Sequence, residues 1–390
     1  MQYNFDDVLS RANTRCLKYD RLKEFFGNEN LLPMWIADMD FPIPAFILDP
    51  IKKRLEHPIF GYFYHSESFY HSIVQWMQKR HQWNISAKWI CFSPGIVAGL
   101  SFLIQLFSQK NEKILIQTPV YPPFYEVIEK NGRQILTNPL SLCGDRYNMD
   151  FNDLEEKLKQ GPKIMIVSNP HNPVARCWLP NELKTVAELC LKYHCLLISD
   201  EIHSDLIMTG YKHTPIAKLS DEIAQNTITC MAPSKTFNLA GLATSEIIIP
   251  NPVLRDQFKN FMNNTVHIFG NIFGDIALEN AYTYGADWLD QLCCYLTENV
   301  KYCKQFLAEY LPEIKTYQHE ATYLLWVNFK QLGYTHEELT HFLIEKAHLG
   351  LNDGKMFGKE GEQFMRLNLA CPRSILNVAM HQLYDAIKIK

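Results

Sequence analysis

Lys235 is a residue whose type and position in this sequence suggest chemistry. It lies in the segment APSKTFN at residues 232–238, directly after an apolar run at 227–231 that predicts a buried strand. A lysine just past a strand end, beside the hydroxyl of Ser234, suits Schiff-base formation with a carbonyl compound. Taken alone, the pattern is more often that of a solvated loop lysine.

Three upstream segments favour a functional role for this lysine, because each also stands at the end of a predicted strand. They are SPG at 93–95, NPHNP at 169–173 and SDEIH at 199–203. Strand ends in α/β sheets open into a common crevice, so we expect their polar groups to meet Lys235 there. An acid, an amide, an anion-binding turn and a lysine are the protein parts needed to hold pyridoxal phosphate (PLP).

The segment around Gly95 is a candidate phosphate site, and Tyr121 is a candidate for stacking on the cofactor ring. Ile96 and Val97 open a predicted helix, whose N-terminus presents free N–H groups to an anion. Gly95 would allow the anion to approach the backbone closely. An ordinary helix start capped by Ser93 is the alternative. Tyr121 follows the predicted strand 113–117 and could stack on a flat ring or simply pack in the core.

Asp200, Asn172 and His203 are candidates for holding the ring's polar atoms. A carboxylate at a strand end must be paired or solvated, and Asp200 paired with a pyridine nitrogen would keep that nitrogen protonated. Glu201 is the rival acid, although alternation along a strand turns it to the opposite face. Asn172 is held between two prolines, and His203 could approach the phenolic oxygen. A turn asparagine and a structural histidine are the alternatives.

Arg366 is an arginine inside the otherwise apolar run FMRLNL at 364–369. Arginines are seldom buried without an anionic partner. A guanidinium group binds a carboxylate through two parallel hydrogen bonds, as recognition of an amino acid requires. An internal salt bridge is the alternative explanation.

The elements that must position these residues alternate between strands and helices. The predicted strands are 113–117, 133–137, 163–168, 195–199, 227–231 and 245–249. Their continuous apolar character indicates a mostly parallel sheet covered on both faces, hence a three-layer α/β domain. After about residue 280 the pattern changes to a smaller α+β domain. We therefore expect a large domain at 46–284 and a small domain at 1–45 and 285–390, with an irregular N-terminal segment packed on the small domain.

Composition excludes several classes of function. The net charge of −4 and the absence of a Lys/Arg cluster argue against a nucleic-acid partner. The most apolar stretch, 90–107, is interrupted by Ser93, Pro94 and Gly95, so no membrane span is expected. The N-terminus has no apolar signal segment, and the eleven cysteines form no C-x-x-C pair. These features predict reduced thiols, no metal site and a cytoplasmic location.

The segments together resemble a known family. MWIADMDF at 34–41, FGY at 60–62, PVYPPFY at 119–125, NPHNP at 169–173, SDEIHSDL at 199–206 and APSKTFN at 232–238 occur in this order. The series is similar to the fold-type I PLP enzymes of the aminotransferase class I/II superfamily. Within it, the sequence resembles most the MalY/PatB-type cystathionine β-lyases, or C–S lyases, over nearly its whole length.

The resemblance implies a role for each candidate. Lys235 bonds the cofactor, Asp200 pairs with its pyridine nitrogen and Asn172 contacts its phenolic oxygen. Tyr121 stacks on the ring. The phosphate is held by Ile96, Val97 and Ser234. Arg366 binds the substrate's α-carboxylate. Family members are homodimers with shared active sites, so Tyr62 is expected to reach the neighbouring subunit's cofactor phosphate, with Tyr64 as the weaker candidate.

Three departures bear on the activity. Ala175 and Ala321 stand where the family commonly has glycine, which predicts a narrower site. Residues 238–243 offer no phosphate-binding arginine of the aspartate-aminotransferase type, which favours the lyase branch. The expected reaction is β-elimination from a small sulfur-containing amino acid, such as L-cystathionine or a cysteine-type substrate, to pyruvate, ammonia and a thiol. The alternatives are transamination with 2-oxoglutarate and a catalytically weak PLP protein that binds a regulatory partner.

Overall fold

The structure is a computed structural model that describes residues 2–388. Its strands in chain order are β1 (Leu32–Pro33), β2 (Ile90–Ser93), β3 (Lys113–Thr118), β4 (Gln134–Pro139), β5 (Ser141–Cys143), β6 (Arg146–Asn148), β7 (Ile164–Ser168), β8 (Leu196–Asp200), β9 (Thr227–Met231), β10 (Ser245–Ile248), β11 (Lys315–Thr316), β12 (Leu324–Asn328), β13 (Leu349–Gly350), β14 (Asn352–Asp353) and β15 (Phe364–Asn368). Its α-helices are α1 (Leu17–Asp20), α2 (Leu22–Phe26), α3 (Ala45–Leu55), α4 (Glu67–His81), α5 (Ile96–Phe107), α6 (Pro122–Lys130), α7 (Phe151–Leu158), α8 (Pro180–Lys192), α9 (Asp221–Gln225), α10 (Pro233–Thr236), α11 (Pro252–Phe261), α12 (Ile272–Tyr284), α13 (Ala286–Tyr310), α14 (His336–Glu345) and α15 (Arg373–Lys388).

The larger sheet has seven strands in the order β2-β10-β9-β8-β7-β3-β4. The five strands from β9 to β4 run parallel, and β10 is antiparallel to both of its neighbours. The predicted mostly parallel sheet is therefore confirmed. All six strands expected from the apolar runs are present, with ends that differ by at most two residues.

Both faces of this sheet are buried, and alternation along β3 shows it. Ile114 and Ile116 pack in one apolar cluster with residues of α5 and α6. Leu115, between them, packs in a second cluster with residues of α7 and α8. Successive side chains of a strand point to opposite faces, so the sheet lies between two helical layers. This is the predicted three-layer α/β arrangement.

A second sheet, of four antiparallel strands in the order β11-β12-β15-β14, lies in the C-terminal part of the chain. The N-terminal segment reaches this region, because β1 pairs in parallel with β13. That segment also contains α1 and α2, so it is less irregular than expected. The exact domain division at residues 45/46 and 284/285 stays a prediction.

Side-chain caps begin six of the α-helices, namely α4, α7, α9, α11, α12 and α14, and one expected cap is corrected. The Asp150 side chain accepts from the backbone N–H of Asp153 at the start of α7, and Thr335 with Glu338 forms a capping box at the start of α14. Ser93 does not cap α5. Gly95 occupies the N-cap position, and the Ser93 hydroxyl donates to the Gly95 carbonyl at 2.9 Å.

Within residues 2–388, no helix combines the length and apolar character needed to cross a membrane. The same residues contain no cluster of histidine, cysteine and acidic side chains that could hold a metal ion. All eleven cysteines are free thiols.

Candidate active site

A cavity of about 180 Å³ lies at the carboxyl ends of β3, β7, β8 and β9. Because these strands are parallel, the residues that follow them meet at one edge of the sheet. The cavity is lined by nearly all of the candidates found in the sequence: Gly95, Ile96, Val97, Tyr121, Asn172, Asp200, His203, Ser234 and Lys235. Arg366 and Tyr62 are the two that do not line it.

Lys235 lies in α10, the single turn that follows β9. Its Nζ donates to the carbonyl oxygen of Ala37 at 2.7 Å. Burial, followed by the positive charge of Arg366, lowers the pKa of Lys235 to about 8. A lowered pKa increases the fraction of neutral amine, which is the nucleophilic form.

Asp200 is the last residue of β8 and faces the cavity. Its Oδ1 accepts from the backbone N–H of Ile202 at 3.2 Å. Burial raises the pKa of Asp200 to about 7, against the opposing effects of this hydrogen bond and of Lys235. A positively charged partner inside the cavity would return the group to its ionised form.

Glu201, the rival acid, points to the other side of the chain, as alternation predicted. Its carboxylate accepts from the Ser199 hydroxyl at 2.7 Å, from the Ile216 N–H at 3.1 Å and contacts His213 Nε2 at 2.8 Å. These partners satisfy Glu201 away from the cavity, so Asp200 is the acid that the fold presents.

The phosphate candidates lie together at the start of α5. The first N–H groups of a helix have no partner inside the helix, and in α5 these include the amides of Ile96 and Val97. Gly95 has a φ of +136°, a conformation that side chains with a Cβ rarely adopt. The hydroxyl-bearing Ser234 lines the same cavity. The donor set suits an oxyanion.

Thr244 is a further hydroxyl on this cavity that the sequence analysis did not identify. It directly follows the stretch 238–243 that lacks an arginine, and its Oγ1 donates to the Leu242 carbonyl at 3.0 Å. Thr244 could have been identified from the sequence because it is the first polar residue after an apolar stretch.

Asn172, Tyr121 and His203 surround the remaining sides of the cavity. Asn172 Oδ1 accepts from Arg366 Nη1 at 3.0 Å, which leaves the amide NH₂ to donate elsewhere. Tyr121 is the N-cap residue of α6. Burial lowers the pKa of His203 well below its usual range, so its imidazole is neutral.

Arg366 is buried in the middle of β15, and its partners are all neutral. Beside Asn172, Nη2 donates to the Trp35 carbonyl at 3.2 Å and to Asn352 Oδ1 at 2.6 Å. No carboxylate among residues 2–388 lies within ion-pair distance of the guanidinium group. The alternative of an internal salt bridge is therefore wrong.

Comparison with known proteins identifies the family. The family model described as aminotransferase class I and II matches residues 47–383. The chain is 42% identical to cystathionine beta-lyase PatB of Bacillus subtilis (strain 168) over 98% of this chain and 100% of that protein. It is 31% identical to protein MalY of Escherichia coli (strain K12), over 99% of both chains. The crystal structure of cystalysin from Treponema denticola, which contains pyridoxal 5'-phosphate, superposes with a TM-score of 0.96 at 35% identity and covers all of both chains.

The chain belongs to the aminotransferase class I and II family. The resemblance to its MalY/PatB-type members and the fold-type I architecture are thereby confirmed.

One part of the site, the backbone around Ala37, was not among the residues expected from the sequence. Ala37 lines the cavity, and its carbonyl oxygen accepts from Lys235 and, at 3.0 Å, from the Tyr323 hydroxyl. Asn238 anchors the same segment through the backbone of Met39. A backbone carbonyl group leaves no signal in the sequence, although Asn238, three residues after Lys235, could have been considered as a residue that anchors this segment.

Tyr62 lies outside the cavity of its own chain. Its side chain is fully exposed at 108% of the reference area, and that of Tyr64 is 84% exposed. Ile59 and Phe60 are exposed in the same segment, which has no helix or strand between residues 57 and 66. Within one chain of this family member, Tyr62 is not brought to the site.

Ala175 and Ala321 do not narrow the cavity, because neither lines it. Both are buried, and the Ala321 N–H donates to the Ala175 carbonyl at 3.1 Å. Ala175 has a left-handed backbone conformation, with a φ of +57°, which favours glycine. The expectation of a narrower site was wrong because the two alanines contact each other away from Lys235.

Proposed function

We propose that this protein is a PLP-dependent carbon–sulfur β-lyase that acts on small sulfur-containing amino acids. The observation that carries the proposal is that Lys235 and Asp200 face one cavity with the N-terminus of α5 at its edge. The 42% identity to a cystathionine β-lyase over the whole chain supports the same activity.

The residues present fit the cofactor. Asp200 has a carboxylate whose raised pKa reflects burial without a cationic partner at contact distance, and a protonated pyridine nitrogen would supply one. The amides at the start of α5 and the hydroxyls of Ser234 and Thr244 suit a phosphate. Lys235 Nζ would bond the aldehyde carbon of the cofactor, and the Asn172 amide would donate to its phenolic oxygen.

When bound, PLP supplies an electron-withdrawing ring that stabilises negative charge at the substrate's Cα. Asp200 keeps the ring nitrogen protonated, which maintains that electron demand. With cofactor and substrate bound, Lys235 would act as the general base and accept the Cα proton at Nζ. Its lowered pKa of about 8 suits this role near neutral pH.

Arg366 and Asn172 orient the substrate. The guanidinium group, without an internal carboxylate partner among the described residues, binds the α-carboxylate. With the α-carboxylate and the amino group both held, the Cα–H bond can be directed at Lys235. The Cβ–S bond of the substrate then breaks, and the sulfur leaves as a thiolate. Water completes the reaction, which gives pyruvate, ammonia and the free thiol.

Transamination is the competing activity, since it begins with the same proton removal. Ala243 and Thr244 line the cavity where an arginine of the aspartate-aminotransferase type would be expected, which favours the lyase. We expect β-elimination from L-cystathionine to exceed transamination to 2-oxoglutarate by about tenfold or more, or about 1.4 kcal/mol in barrier.

The deciding experiment is an assay of the purified holoenzyme with L-cystathionine that follows pyruvate and free thiol. A parallel reaction with 2-oxoglutarate follows glutamate. Pyruvate and thiol in equal amounts support the lyase. Glutamate from several amino acids, without pyruvate from cystathionine, would establish a transaminase, and absence of any turnover would favour a regulatory PLP protein.

The proposal includes a homodimer with shared active sites. Large apolar side chains are exposed on two segments of the chain, Ile59, Phe60 and Tyr62 on one and Ile268 and Phe269 on the other, and exposed apolar groups of this kind mark protein–protein surfaces. A second copy covering both segments would bury these side chains and bring Tyr62 to the phosphate of the neighbouring cofactor.

A cytoplasmic location is part of the same proposal. Eleven free cysteines without a disulfide are typical of a reducing compartment. Retention of the activity in a cytosolic cell fraction would test it.

A further inference from the structure

Arg366 is buried, yet its charge is balanced by no acidic residue at contact distance among residues 2–388. Four neutral groups surround it, and we call them the neutral cage: the Trp35 carbonyl, the Asn172 amide, the Asn352 amide and the ring of Phe357. A buried guanidinium group is costly unless it is paired. The cage thus leaves a strong demand for an anion.

Asn352 is positioned by the small sheet. It lies in β14 directly opposite Arg366 in β15, and its Oδ1 accepts from Nη2 at 2.6 Å. An aspartate has nearly the same shape but would bring a full negative charge to the same atom. The amide therefore orients the guanidinium group without neutralising it.

Phe357 covers a face of the guanidinium group. The Arg366 Cζ atom lies 4.9 Å from the centre of its ring, a cation–π geometry that is strongest when the charge is desolvated. The backbone carbonyl of Phe357 accepts from the Val120 N–H at 2.8 Å and from the Tyr125 hydroxyl at 2.9 Å. These bonds tie the ring to the segment that contains Tyr121.

One side of the guanidinium group is not used by the protein. Nε of Arg366 is buried and has no hydrogen-bond partner among the described residues. Burial lowers the pKa of Arg366 to about 10, so it remains protonated near neutral pH. The unsatisfied donor and the missing counter-charge both call for an external anion.

We propose that Asn352 and Phe357 are positioning residues that hold Arg366 in place and keep its charge available for the α-carboxylate of the substrate. The inference rests on the proposed function, in which Arg366 binds that carboxylate. It adds two residues outside the cavity lining that set the strength of amino-acid recognition.

The test compares two probes that differ only in the carboxylate, L-alanine and ethylamine. Each is titrated into the holoenzyme while the absorbance of the bound cofactor is followed, and the ratio of the two dissociation constants measures carboxylate preference. Asn352→Asp should lower this preference by about tenfold or more, because the new carboxylate competes for Arg366. Phe357→Leu should lower it by about tenfold, whereas Phe357→Tyr, which keeps the ring face, should retain it.

Kinetics with L-cystathionine give an independent readout. In Asn352→Asp and Phe357→Leu, the KM should rise by a larger factor than kcat falls, because the ground-state carboxylate contact is weakened. Asn352→Ala, which removes the amide without adding charge, should have a smaller effect than Asn352→Asp. An equal effect of the two Asn352 variants would overturn the role of neutrality.

Arg366→Gln separates failure of the inference from failure of the proposed function. If Arg366→Gln retains the preference for L-alanine, Arg366 is not the carboxylate-binding residue. That result refutes both the role of Arg366 in the proposed function and the positioning role of Asn352 and Phe357. If Arg366→Gln loses the preference while Asn352→Asp and Phe357→Leu retain it, only the cage is wrong. Should Phe357→Leu fail to load cofactor, Asn352→Asp decides the question.

Discussion

Lys235 and Tyr323 share one acceptor, the backbone carbonyl oxygen of Ala37. Lys235 Nζ donates to it at 2.7 Å and the Tyr323 hydroxyl at 3.0 Å. The Tyr323 side chain is fully buried, and burial raises its pKa above the ordinary value, so the phenol stays a donor. The tyrosine fixes this carbonyl, and the carbonyl in turn holds the lysine at the cavity.

Lys235→Ala should abolish turnover and remove the absorbance of the covalently bound cofactor. No other lysine among residues 2–388 lines the cavity, so these residues offer no second lysine to replace it. The measurement is an absorbance spectrum of the purified protein together with the cystathionine assay. Lys184→Ala, which removes a lysine from an exposed i,i+4 pair on α8, is the matched control and should behave as wild type. Normal turnover in Lys235→Ala would refute the site.

Asp200→Asn and Glu201→Gln should fail in different ways. Asp200→Asn should fold but lose about 100-fold or more in kcat, because an uncharged amide does not keep the ring nitrogen protonated. Glu201→Gln should instead cost about 1–3 kcal/mol of unfolding free energy, since its carboxylate is buried against His213. Paired measurements of kcat and of denaturant unfolding distinguish them. The reverse assignment of effects would show that Glu201 is the functional acid.

The parts of the fold predicted from sequence are those with a strong local signal. The interior strands of the large sheet are buried on both faces and are therefore mostly apolar, as β7 (IMIVS) and β9 (TITCM) show, with every residue buried. The two-residue strands β1 and β13 are too short for a periodic pattern, and their pairing depends on residues far apart in the chain.

The same limit applies to the site. Side chains at strand ends, such as Asp200 and Asn172, could be identified because a polar residue after an apolar run stands out. The carbonyl of Ala37 reaches Lys235 from 198 positions away and carries no side-chain signal. The neutral partners of Arg366 also depend on tertiary packing, because Asn352 meets it only through strand pairing.

The double variant Ala175→Gly/Ala321→Gly should leave kcat and KM for cystathionine within about twofold of wild type. Neither residue lines the cavity, and restoring glycine removes the left-handed strain at Ala175, where φ is +57°. Relief of that strain and loss of the buried methyl groups oppose each other, so we expect a change within about 1–2 kcal/mol in unfolding free energy. Steady-state kinetics and thermal unfolding check both points. A changed preference between cystathionine and cysteine would show that the alanines do shape the site.

Complementation between two inactive variants tests the shared active site. Tyr62→Ala removes the side chain that we expect a subunit to give to its neighbour, and Lys235→Ala removes one that acts in its own subunit. In a mixed dimer, the chain with intact Lys235 receives Tyr62 from the other chain, so one of the two sites is complete. Random reassortment should restore about a quarter of the wild-type active sites.

Co-expression with two different affinity tags isolates the mixed dimer, and its activity is compared with that of each pure variant. If Tyr62→Ala alone is impaired and the mixed dimer gains no activity, Tyr62 acts within its own chain. Because Tyr62 is fully exposed and outside its own cavity, we expect the mixed dimer to be active.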